Sequence, residues 1–143
     1  MIRALALLTL AALTACASST PIRWAPATDY TLDIVDNPDR QRFDVTSTSK
    51  ATAPLCLSKE AWPALEALPA GFDGATLSTS AGTQALLPTG SAYCPGGCGD
   101  VRVEPGQTLV GVIPYAAFGN ATIIAADTSR TLVFEVHPFI CAR

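Results

Sequence analysis

Runs in which apolar and polar residues alternate, broken at intervals of about ten residues by proline, glycine or aspartate, dominate the chain beyond residue 29. Tyr30, Leu32 and Ile34 alternate with Thr31, Asp33 and Val35, and Phe43 and Val45 alternate with Asp44 and Thr46. A period of two sends one set of side chains to a buried face and the other to solvent, which is the pattern of a half-buried strand. The turn cluster Asp36-Asn37-Pro38-Asp39 lies between these runs, so the two are expected to form a hairpin. Further strands are predicted at Ala75 to Thr79, Gln84 to Leu87, Val101 to Val103, Gln107 to Tyr115, Ala121 to Ala126 and Thr131 to Val136. Seven or eight short strands joined by tight turns predict an all-β antiparallel sandwich over residues 29–143. The one helical candidate starts at Ser58 and runs toward Leu68, but Pro63 limits it to a turn or two, with Trp62 and Leu65 plugging an open end of the sandwich.

The unit Val103-Glu104-Pro105-Gly106-Gln107-Thr108-Leu109, leading into Val112-Ile113-Pro114-Tyr115 and Phe118, resembles the later strands of immunoglobulin-like domains on secreted bacterial proteins. Phe43 to Ser49, followed by Pro54-Leu55-Cys56-Leu57, is similar to their early strands. The resemblance implies an immunoglobulin-like fold and no activity.

At the amino terminus Arg3 supplies the positive charge of an otherwise apolar stretch from Ile2 to Leu13 that runs into Leu13-Thr14-Ala15-Cys16. A dozen or so apolar residues is signal-peptide length, short of the roughly 20 that a spanning helix needs. Leu13-Thr14-Ala15-Cys16 resembles the lipobox of bacterial lipoproteins. The resemblance implies cleavage of signal peptide 1–15 after Ala15, a diacylglyceryl thioether on Cys16 and acylation of the new amino terminus. Ala17 in place of Asp implies passage to the outer membrane. Two or three acyl chains anchor a protein stably, at about 0.8 kcal/mol per buried CH₂. Residues 16–28, small, hydroxylated and proline-bearing, are expected to be a tether. Trp24 stands out within it, suited to packing on the domain or to the headgroup level.

An exported chain keeps its other cysteines oxidised, and Cys56, Cys94, Cys98 and Cys141 are even in number. Of three possible connectivities we expect Cys94 with Cys98, because Pro95, Gly96 and Gly97 form a compact turn, and Cys56 with Cys141. Zinc would need four converging thiolates in a reducing compartment, and redox catalysis would need a C-x-x-C heading a helix; neither pattern fits C-x₃-C between strands. C-x-x-C-H, the haem attachment signal, is absent.

The chemistry-bearing residues are few. His137, before Pro138, is the one histidine, too little for a hydrolytic triad or a histidine zinc site. Asp36, Asp39 and Asp44 surround a turn where Asx hydrogen bonding accounts for them without calcium. Asp100 and Glu104 flank a strand on its solvent face. Asn120-Ala121-Thr122 matches the glycosylation sequon and reads as turn chemistry before a strand. The net charge of −3 and the scarcity of basic residues argue against nucleic acid as a partner.

The expected function is that of a non-enzymatic, cofactor-free, lipid-anchored module of the bacterial envelope, at the outer membrane facing the periplasm. It would bind a protein partner or serve the envelope structurally, with Tyr93, Pro95, Gly96 and Gly97 of the clamped turn as contact residues. The alternative is an inhibitor of a periplasmic or foreign hydrolase that acts through the same 94–98 turn.

Overall fold

The computed structural model describes residues 21–63, 74–87 and 98–141. Cys16, Leu65, Tyr93, Cys94, Pro95, Gly96 and Gly97 lie outside the described residues. The architecture is all-β, as the alternation requires, with nine strands among the described residues and one short helix. Three antiparallel three-stranded sheets make up the fold, in the orders β1-β2-β7, β6-β3-β9 and β5-β4-β8.

β1 (Tyr30–Asn37) and β2 (Arg42–Ser49) are the expected hairpin, in register from Tyr30 opposite Ser49 to Asn37 opposite Arg42. Its turn is one 3-10 turn, Pro38–Arg40, held by the Asn37 side-chain Oδ1, which accepts from the Arg40 N–H at 3.3 Å. Gln41 closes it in the left-handed region at φ 51°. β7 (Thr108–Pro114) pairs with the other edge of β2. Phe43, Val45 and Ile113 thus point into the main core, where they meet Leu57, Leu77, Tyr115 and Phe134. Ala51, Leu55 and Val103 form a smaller second cluster.

β3 (Leu55–Ser58), β6 (Asp100–Val103) and β9 (Phe139–Ile140) form the second sheet. The helical candidate after β3 is one 3-10 turn, Lys59–Ala61, with the Ser58 hydroxyl accepting from the Glu60 N–H at 3.3 Å. Trp62 is buried, as a plug should be, and its indole N–H donates to the Val110 carbonyl at 3.2 Å.

β4 (Ala75–Thr79) pairs with β5 (Gly82–Ala85) through a tight turn and with β8 (Thr131–Phe134) on its other side. β5 begins two residues before the expected strand and β8 stops two residues short of it, although Val136 is still buried.

One predicted strand is wrong. Ala121–Ala126 is a helix, α1, not a strand. The Asn120 side chain accepts from the Thr122 and Ile123 N–H groups at 3.0 and 3.3 Å, so the sequon asparagine is a helix N-cap rather than a turn before a strand. At the other end the Arg130 guanidinium donates to the carbonyls of Ile124, Ala125 and Asp127. Both ends satisfied, six residues hold a helix that β-branched Ile123 and Ile124 disfavour.

The segment expected to be a tether is part of the fold from Arg23 onward. Arg23 and Ala25 bond to β9 through Ile140 N–H to Arg23 O and Ala25 N–H to Pro138 O, both 2.8 Å, and Ala27–Asp29 forms a 3-10 turn. Among the described residues no helix is long and apolar enough to cross a membrane.

Candidate functional site

β8 runs into β9 through Glu135, Val136, His137 and Pro138. Alternation along this crossover buries Phe134 and Val136 and turns Val133, Glu135 and His137 outward. Beside them lie Thr76, opposite Val133 in the β4–β8 register, and Phe139 at the start of β9. The outer faces of two sheets therefore meet here, and a groove of about 780 Å³ opens between them. Ser58, Ala61, Asp100, Ile22 and Trp24 also line it.

Three constraints hold this surface. Cys56 and Cys141 are joined by a disulfide with Cα atoms 5.0 Å apart, as expected, which ties the chain beyond β9 to β3. The Tyr30 hydroxyl donates to the Val136 carbonyl at 3.1 Å. Trp24 forms a β-bridge with Phe139, and its indole stands edge-on to Phe139 and to His137, with ring centroids 6.2 and 6.3 Å away. Trp24 remains 59% exposed.

The groove is mainly apolar, with carboxylates at its edges. Asp100 and Glu135 line it, and among the described residues no lysine or arginine does. His137 Nε2 lies 3.9 Å from Glu135 Oε2, with the two side chains 71% and 75% exposed. Water at that exposure screens the pair and offers no sequestered route for a proton. Among the described residues no three His, Cys, Asp or Glu side chains converge to hold a metal ion.

The remaining titratable groups hold the fold. Tyr115 is fully buried and its hydroxyl donates to Asp36 and accepts from Arg130 Nε, the latter at 2.8 Å. Burial first, and then the hydrogen bond to the Asp36 carboxylate, push the phenol up to about 12. Burial pulls Arg130 down, but the bonds to Asp36 and Tyr115 outweigh it and raise the guanidinium above its ordinary value. Asp127 binds Ser129 and Ser80 through both side chain and backbone, and these bonds hold its carboxyl well below the usual range. Asp44 is likewise committed, to Arg42 at 2.8 Å and to Asn37 at 3.0 Å.

Of the expected contact turn, Cys98 is described. It is disulfide-bonded, and its N–H donates to Glu60 Oε1 at 3.2 Å. Gly99 accepts from the Lys59 N–H at 3.0 Å, so this end of the turn is docked beside Ala61 and leads directly to Asp100 at the groove. Trp24 and His137 were legible as isolated oddities in the sequence. Ile22, Val133, Glu135 and Phe139 were not, although an outward valine in line with Glu135 and His137 is a signal of an apolar surface.

Comparisons with protein-family models, with curated proteins and with solved structures find no match to this chain. Geometry and sequence pattern carry the functional reading.

Proposed function

We propose that the chain is a lipid-anchored module of the bacterial envelope, held at the outer membrane facing the periplasm through Cys16, which binds a protein partner and performs no catalysis. The observation that carries the binding reading is the groove, where an exposed tryptophan, Trp24, is fixed by a β-bridge rather than left on a loose segment. A fixed aromatic side chain loses little entropy when a partner covers it. The anchor reading is supported by Leu13-Thr14-Ala15-Cys16 after its apolar stretch. The immunoglobulin-like relationship belongs to the same proposal and is supported by the β1–β2 hairpin and by the Pro105-Gly106 turn into β7.

Intact mass spectrometry of protein extracted from membranes tests the anchor: the expected mass is that of chain 16–143 plus a diacylglyceryl group and an acyl chain. An unmodified mass in the soluble fraction overturns it. For the binding surface, a photoreactive amino acid is placed at position 24 or 123 in living cells; residue 123 is at least as exposed and does not line the groove. A discrete crosslink from position 24 alone supports the groove, and equal patterns from both positions overturn it.

A further inference from the structure

Resting on the reading of the groove as a binding surface, we infer that its occupant is an extended protein segment carrying a basic side chain next to an apolar one. Three observations point to this chemistry. The first is charge: Asp100 and Glu135 line the groove, the only cation-capable side chain among its described lining residues is His137 beside Glu135, and no described lysine or arginine lines it, so a cation entering it meets a net acidic rim. The same sign disfavours an anionic lipid headgroup or a phosphate. The second is the shape of the apolar surface. Ile22, Ala61 and Val133 are aliphatic, and the aromatic rings stand at 74° and 90° to Trp24, so they form slots for alkyl side chains and not the coplanar platform on which sugar rings stack.

The third is a backbone edge. Arg23 O and Ala25 N–H are directed at β9, and in a strand the next residue's groups point the opposite way. The N–H and C=O of Trp24 therefore face away from β9, and they have no hydrogen-bond partner among the described residues. An extended segment laid along Ile22 to Ala25 takes up these groups as an added strand, while alternate side chains reach the groove. An indole 59% exposed at that margin accepts a cation over its face or an alkyl chain against it.

The two tryptophans of the chain, Trp24 exposed and Trp62 buried, give a direct readout. The mature chain as the cell makes it, in neutral phosphatidylcholine nanodiscs if it is membrane-bound, is labelled with fluorotryptophan, and Trp24→Phe assigns the two fluorine resonances. The probes are three capped pentapeptides, alternating leucine with lysine, glutamate or serine, and a neutral oligosaccharide, cellotriose. The expected result is a saturable shift of the Trp24 resonance with the lysine peptide, weakened about tenfold in the Asp100→Asn, Glu135→Gln double variant and by high salt. Equal binding of the serine or glutamate peptide overturns the charge assignment and leaves the groove as a protein-binding surface. A shift with cellotriose in place of the lysine peptide overturns the protein occupant. No shift with any probe overturns this inference, and the position-24 crosslink then decides separately whether the groove binds a partner at all.

Discussion

Arg130 Nη2 lies 2.7 Å from Asp36 Oδ2, joining the strand that opens the domain to the turn that follows its helix. The Arg130 side chain is 7% exposed and spends its remaining donors on the Tyr115 hydroxyl and on three carbonyls at the end of α1. Its ring-facing carbon sits 5.2 Å from the Tyr115 centroid. One guanidinium thus fastens β1, the 3-10 turn Tyr115–Ala117 and α1 together.

Replacing Arg130 by methionine leaves the buried Tyr115 hydroxyl and the Asp36 carboxylate without their cation and uncaps the helix. A loss of about 3 kcal/mol in urea-denaturation stability is expected. Asp36→Asn keeps the geometry and half the hydrogen bonding at a site open to water, and is expected to cost about 1 kcal/mol. Equal and negligible effects would show that the fastening adds nothing.

Tyr115 sets an alkaline limit. Its folded-state phenol ionises near 12 against an ordinary value of 10.0, so the unfolded chain releases the proton first. The contribution is fully present below pH 10 and is lost as pH rises toward 12, a loss of about 2 kcal/mol across the window. Tyr115→Phe should show a flatter fall in stability between those values, measured by denaturation at stepped pH.

Gly111 sits opposite Val45, and a Cβ there would run into the Pro63 backbone carbonyl, with Pro63 Cγ at 3.0 Å and Trp62 Cε2 at 3.2 Å. The 62–63 segment crosses β7 only because this position is bare. Gly111→Ala is expected to cost about 2 kcal/mol and to red-shift Trp62 emission as the indole is pushed outward.

The Cys56–Cys141 bridge spans 85 residues of sequence. Opening a loop of that length costs about 4 kcal/mol in the chain-entropy model. Cys56→Ala, Cys141→Ala should therefore denature at markedly lower urea. Because β9 carries the Trp24 bridge, indole exposure at position 24 should rise before the main core opens, which quenching by acrylamide measures against Trp62.

By itself the sequence determined the all-β class and the β1–β2 hairpin, and it pointed to Cys141 as the partner of Cys56 among three possible pairings. Each depends on local alternation, on turn chemistry or on an even set of cysteines. Only the tertiary structure decided that Ala121–Ala126 is a helix, because its carboxyl-terminal cap is an arginine committed to Asp36 and Tyr115, which no local propensity reports. The groove was decided the same way. Ile22 with Trp24, Asp100, and Val133 with Phe139 come from three separate stretches of chain, and they share one surface because two sheets meet at the β8–β9 crossover. Period-two patterning says which side of a strand is dry; it does not say which wet faces become neighbours, since that depends on contacts between residues far apart in the chain.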